Sequence, residues 1–195
     1  MPLSDEDGVV AVRAARTAID AEVAGRAVDL SFPRTFSERY GVFVTISLYP
    51  SGDLRGCIGY PEPVYPLEEA LIGAAISACH DPRFPPLTPD EAKGCTVEVT
   101  VLTPPSELDF TDAEDLVSKI ELGIDGIILQ ARGRRSLFLP QVAPEQGWDT
   151  VQTLDALAGK AGLRPKAWTE DGVRIWTFQG EIFSEAAPYG KVIRS

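Results

Sequence analysis

The sequence contains one histidine and three cysteines in 195 residues, and no run of apolar residues approaches the length of about 20 that crosses a membrane. Cys57, Cys79 and Cys95 are widely spaced and form no C-x-x-C pair, so the sequence indicates neither a disulfide framework nor a zinc site. The same shortage of ligands disfavours haem and iron–sulfur centres. The glycine-rich motifs of dinucleotide and nucleotide triphosphate sites are also missing from the sequence. We therefore predict no metal site and no cofactor.

Basic residues are scarce relative to acidic ones, with 18 Lys and Arg against 29 Asp and Glu and a net charge of −11. Nonspecific nucleic-acid binding and anchoring on anionic lipid both depend on clustered Lys and Arg. We therefore predict neither a nucleic-acid partner nor a membrane partner. The first ten residues are acidic where a secretory signal is basic, and no apolar segment follows them. We expect a cytoplasmic protein.

Hydrophobic patterns along the chain predict several helices and three hairpins. Helical spacing or capping residues mark the segments 5–25, 67–80, 88–93, 111–120 and 149–162. Segments typical of strands are 41–48, 54–60, 95–102, 126–131, 136–140 and 173–183, the last following a turn at Asp171 and Gly172. The regular strand–helix alternation of a doubly wound sheet is missing. We predict an α+β fold with a mainly antiparallel mixed sheet that is built from hairpins and packed with several helices.

The hexapeptide "LRGCIG" at residues 54–59 resembles the signature of the AMMECR domain family. Other segments between Gly41 and Phe183 resemble that family in the same order: "GVFVTI", "DPRFPPLTPDE", "EVTVLTPPSEL", "GIDGIIL", "LPQVAPEQGWD" and "KAGL". The resemblance implies the family's α+β fold. The chain length predicts a single AMMECR-type domain over residues 1–195, or two tightly packed subdomains that share a core. The resemblance implies no settled activity. Some family members are fused to, or encoded beside, a Memo-type domain and a radical-SAM protein, an association that points to a shared modification pathway.

Alternation along the signature strand predicts one face of Arg55, Cys57 and Gly59, and a core face of Leu54, Gly56 and Ile58. A cation beside a thiol favours the nucleophilic thiolate, and glycines inside a strand often mark a close approach of ligand or backbone. In the functional interpretation, Arg55, Gly56 and Gly59 bind a small anionic ligand and Cys57 is the candidate catalytic nucleophile. In the structural interpretation, Cys57 is a small buried residue, the glycines admit a packed helix, and Arg55 pairs with a structural carboxylate.

The segment "HDPRFPP" supplies two further candidates, His80 and Arg83. His80, the only histidine, is a weak candidate for the base that a nucleophilic cysteine needs, or else a solvent-facing residue at a helix end. Arg83 either lines the ligand site or pairs with Asp81 to fix the turn. We expect Phe84 to fill the core.

The segment "PEQGW" completes the candidate site. Glu145 is a weak candidate for a general base, and Gln146 and Trp148 are candidates for ligand binding. Two classes of function stay open. One is a small-molecule site, catalytic or not, around the LRGCIG strand; the other is an interaction module that uses the same surface to bind a protein partner.

Overall fold

The computed structural model describes residues 3–194, which form two compact units. The first unit contains the residues up to Thr103 together with those from Glu181 onward, and the second is Pro104–Gly180. Each unit has its own cluster of buried hydrophobic side chains. The single domain over residues 1–195 stays a prediction.

Helices and strands follow one another irregularly along the chain. In chain order they are α1 (Asp5–Val23), β1 (Gly41–Leu48), β2 (Leu54–Tyr60), α2 (Leu67–Ala78), α3 (Pro89–Lys93), β3 (Cys95–Leu102), β4 (Ser106–Glu107), α4 (Ala113–Ser118), β5 (Gly126–Ala131), β6 (Arg134–Phe138), α5 (Val142–Gln146), α6 (Thr150–Lys160), β7 (Arg174–Phe178), β8 (Gly180–Glu185) and β9 (Val192–Arg194). Short 3-10 turns occupy Arg34–Ser37 and Ala167–Thr169.

The first unit is a five-stranded sheet with the order β2-β1-β3-β8-β9, so β2 is an edge strand. Its helices α1 and α2 pack on one face, against Val42, Val44 and Ile46 of β1 and the corresponding valines of β3. Because side chains alternate along a strand, the residues between them point to the opposite face. We call this opposite side the distal face; on β1 and β3 it carries Phe43, Thr45, Ser47, Thr96, Glu98 and Thr100, all half-buried.

The ends of α1 and α2 follow from local sequence. Ser4 caps α1 by accepting a hydrogen bond from the Asp7 amide, and acidic residues occupy the first turn, where they complement the helix dipole. The last residue of α2 is Ala78, shortly before Pro82, which has no amide hydrogen to extend a helix. His80 therefore lies in the turn that follows α2.

The second unit is a four-stranded sheet with the order β4-β7-β5-β6. Its buried cluster joins Ile127 and Leu129 of β5 to Leu154 and Leu157 of α6. Asp149 begins α6 with a capping box, in which the Gln152 side chain and the Asp149 side chain bond each other's backbone amides.

The predicted α+β fold is confirmed, with six helices and two antiparallel sheets in the described residues 3–194. The hairpins β1–β2 and β5–β6 form as predicted. The third hairpin does not form, because segment 173–183 divides between β7 in one sheet and β8 in the other. None of the helices in residues 3–194 has the length and apolar character to cross a bilayer.

Candidate functional site

Cys57, Thr45 and Glu98 form a row across three adjacent strands of the distal face. In the antiparallel registers, Cys57 of β2 lies opposite Thr45 of β1, and Thr45 lies opposite Glu98 of β3. The Cys57 amide points away from β1, so Cys57 and Thr45 form a non-hydrogen-bonded pair. In an antiparallel sheet this is the kind of pair whose side chains approach most closely. The Thr45 hydroxyl donates to Cys57 Sγ at 3.4 Å. A half-buried thiol with a directed donor therefore forms the edge-strand end of this row.

The loop after α2 holds the outer edge of β2 at Cys57. Asp81 Oδ2 accepts from the Cys57 amide at 2.9 Å, and Arg83 Nη2 donates to the Cys57 carbonyl oxygen at 3.3 Å. Arg83 also donates to both carboxylate oxygens of Asp81, at 3.0 and 2.7 Å. These donors, the Arg83 guanidinium foremost, hold the pKa of the buried Asp81 carboxyl well below its usual range. The Asp81 and Arg83 side chains thus pair with the amide and carbonyl groups that this edge strand would otherwise present to solvent or to another strand.

Arg55 has a structural partner, as one of the two interpretations of the sequence predicted. The register shifts between Ile46 and Ser47, and Arg55 is the residue left without an opposite partner. Such a bulge interrupts the two-residue alternation, so the predicted placement of Arg55 beside Cys57 does not follow. The guanidinium, with 7% of the residue exposed, donates to both oxygens of Glu91, at 3.2 and 3.3 Å, and to the Pro85 carbonyl oxygen at 2.9 Å.

The carboxylate that faces Arg55 is itself well fixed. Glu91 accepts from the Thr88 amide and hydroxyl as well as from Arg55. These hydrogen bonds, of which the one from the Thr88 amide has the largest effect, lower the pKa of Glu91 to about 2.

At the start of β2 the predicted core face is wrong for Leu54, which is 39% exposed and lies opposite Ser47 across the bulge.

Gly56 and Gly59 admit close contacts inside the protein. A Cβ at Gly56 would overlap the Ala78 carbonyl oxygen at the end of α2. A Cβ at Gly59 would overlap the Val42 carbonyl oxygen and the Phe43 ring. Both positions therefore need glycine for packing, and their role in ligand binding stays a prediction.

Glu98 is a site residue that sequence reasoning missed. It is half-buried, and within residues 3–194 no side chain or amide forms a hydrogen bond or an ion pair with its carboxyl. Burial raises the pKa of this carboxyl. Its signal in the sequence was a single charged residue on the polar side of the alternating strand "CTVEVTVL"; Thr45 holds the same kind of position in "GVFVTISL".

His80 and Phe84 lie outside the row. The exposed His80 ring shares a 2.7 Å hydrogen bond with Glu22 of α1, which fits the alternative of a solvent-facing residue at a helix end. Phe84 does not fill the core as expected. It is half-buried, and its ring lies 5.8 Å from the Arg55 guanidinium and 5.7 Å from that of Arg83.

Glu145, Gln146 and Trp148 belong to the second unit. Glu145 and Gln146 end α5, Gly147 follows in the left-handed conformation, and the Trp148 ring lies 6.0 Å from that of Phe138. Their roles stay predictions. Within residues 3–194, no group of three or more His, Cys, Asp and Glu side chains is placed to hold a metal ion.

The other two cysteines differ sharply from Cys57. Cys79 and Cys95 are fully buried in the core of the first unit. Burial raises the pKa of the Cys79 thiol to about 12, and burial also raises the pKa of Cys95. Both are therefore protonated at neutral pH and shielded from reagents, which makes them internal references for Cys57.

Comparisons with known proteins agree with the resemblance carried by the LRGCIG segment. The AMMECR1 family model matches residues 12–183. Protein MJ0810 of Methanocaldococcus jannaschii is 46% identical over 193 residues, covering 98% of this chain and 96% of that protein. Protein MK0488 of Methanopyrus kandleri is 44% identical over 194 residues, covering 97% and 94%. The crystal structure of uncharacterised protein PH0010 from Pyrococcus horikoshii matches with a TM-score of 0.82 and 40% identity, covering 100% of this chain and 99% of that one. The chain belongs to the AMMECR1 family.

Proposed function

We propose that the distal face around Cys57 is a small-molecule site in which the Cys57 thiol is the reactive group. The observation that carries this proposal is the contrast among the three cysteines: Cys79 and Cys95 are sealed in the core, whereas Cys57 is half-buried beside a hydroxyl donor. Reactive cysteines occupy partly exposed positions, and structural ones are inert because they are buried.

The neighbouring groups have distinct roles in this proposal. The Thr45 hydroxyl, which donates to Sγ, stabilises negative charge on the sulfur as it attacks an electrophilic atom of the ligand. Asp81 and Arg83 fix the backbone on both sides of the Cys57 peptide and so hold the thiol in place. Glu98 offers a carboxyl two strands away. His80 has no part, since Glu22 engages it.

Selective alkylation tests the proposal. The folded protein is treated with a small excess of iodoacetamide at pH 7.5, and labelled peptides are quantified over time by mass spectrometry. We expect Cys57 to be labelled first, and Thr45→Val to slow that labelling because the sulfur loses its donor. A folded protein in which Cys57 is labelled no faster than Cys79 or Cys95 would overturn the proposal. Cys57→Ser serves as the control for reaction at other sites.

The alternative function, a protein-interaction module, is favoured by exposed apolar side chains at both ends of β2. Leu48, Tyr49 and Leu54 are exposed at the hairpin end, and Val64 and Tyr65 are exposed just beyond Tyr60. Affinity purification from the source cells with the Tyr49→Ser/Leu54→Ser variant separates the two functions. An interaction module predicts that this variant loses partners which Cys57→Ser retains. A small-molecule site predicts no difference in captured partners.

A role in a modification pathway with Memo-type and radical-SAM proteins stays a prediction, as does a cytoplasmic location. The pathway prediction has a consequence for the site, because a modification enzyme would consume or release a small molecule at Cys57. The purified pathway proteins would then lower the rate at which Cys57 is labelled. An unchanged labelling rate would count against the pathway.

A further inference from the structure

Arg55 of the signature strand and Arg83 of the loop after α2 are both neutralised by carboxylates of the same unit. Arg55 donates to both oxygens of Glu91, and Arg83 donates to both oxygens of Asp81. The pKa values of both carboxyls are lowered, so both are ionised at neutral pH. Each pair therefore contributes no net charge to the surface around the thiol.

Glu98 is different from the two fully buried carboxylates of this unit, each of which is paired with an arginine. Glu185 is buried with Arg16 at 2.5 Å, and Asp81 is buried with Arg83. Glu98 is half-buried in the middle of a strand, and no cation or hydrogen-bond donor in residues 3–194 pairs with it. No unpaired side-chain oxygen among those residues is completely sealed, so the Glu98 carboxyl keeps some contact with solvent. A desolvated carboxylate without a partner gains most from a cation that arrives with a ligand.

We propose that the Cys57 site takes a ligand carrying an ammonium or similar cationic group, which pairs with Glu98. This inference rests on the proposed small-molecule function of the same face. Neighbouring strands lie about 4.8 Å apart, so Cys57 and Glu98 rise from backbones separated by about 10 Å on the same side of the sheet. A small amine of amino-acid size spans that distance, with its reactive atom at Sγ, its cation at Glu98 and Thr45 between them. The small anionic ligand expected from Arg55 stays the competing prediction.

Charged thiol reagents read out the charge preference of the site directly. Cys57 is labelled with three methanethiosulfonates that differ in charge: the cationic aminoethyl, the neutral methyl and the anionic sulfonatoethyl reagent. Each forms a disulfide between Sγ and the reagent sulfur and releases methanesulfinate, so no further oxidant is needed. Each rate constant for Cys57 is divided by the rate constant of the same reagent with 2-mercaptoethanol. This removes intrinsic differences in reactivity among the three reagents. The measured quantity is the ratio of the cationic to the anionic rate.

Wild-type protein is expected to react at least about ten times faster with the cationic reagent than with the anionic one. This is the effect of a single protein charge a few ångström from the charge of the reagent in a partly shielded site. Glu98→Gln should reduce that ratio, and Glu98→Asp should keep most of it. Glu69→Gln is the matched control, because it removes the same charge from an exposed position on α2 and should leave the ratio unchanged. The ratio should also fall as the pH is lowered and Glu98 becomes protonated.

Each other outcome overturns a defined part of the account. A ratio near one, or a ratio that Glu98→Gln leaves unchanged, overturns the cationic ligand while Cys57 remains a reactive site. A preference for the anionic reagent also overturns it and supports the anionic ligand. If all three reagents fail to label Cys57 in the folded protein, the proposed function itself is overturned. Urea denaturation of Glu98→Gln and Glu98→Asp establishes that both variants are folded before their ratios are compared.

Discussion

Replacing Asp81 with asparagine removes the carboxylate that holds the edge of β2 at Cys57. This carboxylate accepts two hydrogen bonds from the amides of Cys57 and Arg83 and two from the Arg83 guanidinium. Asparagine has a similar shape but one acceptor oxygen and no charge, so it cannot satisfy both amides and the guanidinium together. The substitution therefore tests whether the loop after α2 fixes the position of the thiol.

The expected loss follows from the burial of Asp81 and the exposure of its partner. Asp81 is 2% exposed, and a hydrogen bond to a charged group contributes about 1.5–3 kcal/mol. The Arg83 side chain is 56% exposed, so solvent screens its share. We expect Asp81→Asn to lower the free energy of unfolding by about 2–4 kcal/mol, a large part of the 5–15 kcal/mol typical of a domain.

The pH dependence has a definite sign. The pKa of Asp81 is lower in the folded protein than in the unfolded chain, where it is about 3.9. Its contribution to stability is therefore fully present above the unfolded value and is lost as the pH falls towards the folded value. The difference in unfolding free energy between wild type and Asp81→Asn should be constant near neutral pH and should shrink below about pH 4.

Two measurements check these expectations. Urea denaturation followed by circular dichroism gives the free energies at several pH values, and hydrogen exchange gives the protection of the Cys57 amide. Asp90→Asn is the control, because Asp90 is fully exposed and pairs only with Lys93 across one helical turn. It should leave the denaturation midpoint and the Cys57 amide unchanged. If Asp81→Asn behaves like this control, the proposed positioning of Cys57 is wrong.

Two further predictions concern other residues around the strand. Gly56→Ala should lower the free energy of unfolding in urea by about 1–3 kcal/mol, because the added methyl group overlaps the end of α2, whereas Gly94→Ala meets only an ordinary contact and should change it little. An unchanged denaturation midpoint for Gly56→Ala would contradict the explanation that Gly56 is needed for close packing against the end of α2. His80→Ala should leave the alkylation rate of Cys57 unchanged because the ring is engaged by Glu22, and a clear decrease in that rate would restore His80 as the base.

Local patterns in the sequence were sufficient to predict most elements of the first unit. The β-branched residues of 41–48, the turn at 50–53 and the strand 54–60 predict a hairpin that forms with those bounds. Prolines 82, 85 and 86 predict the end of α2 to within two residues. These features depend on steric and hydrogen-bonding preferences of near neighbours, which a single sequence expresses directly.

The features that the sequence did not predict depend on register and tertiary contact. The bulge at Arg55 breaks the alternation on which the Arg55–Cys57 face rested, and nothing in "LRGCIG" reveals it. The row of Cys57, Thr45 and Glu98 requires the pairing of strands 95–102 and 41–48, which brings together residues more than 40 positions apart. The separation of β7 from β8 likewise depends on which sheet each strand joins, a choice made by packing rather than by local pattern.

Cys57 should be accessible to reagents in the folded protein, whereas Cys79 and Cys95 should not be. The most direct test is the alkylation rate of each cysteine in the folded protein divided by its rate in the urea-unfolded chain, with a neutral reagent. We predict a ratio within about tenfold of one for Cys57, and ratios of about 0.001 or less for Cys79 and Cys95, which react only after unfolding. A Cys57 ratio as low as that of the two buried thiols would contradict the account.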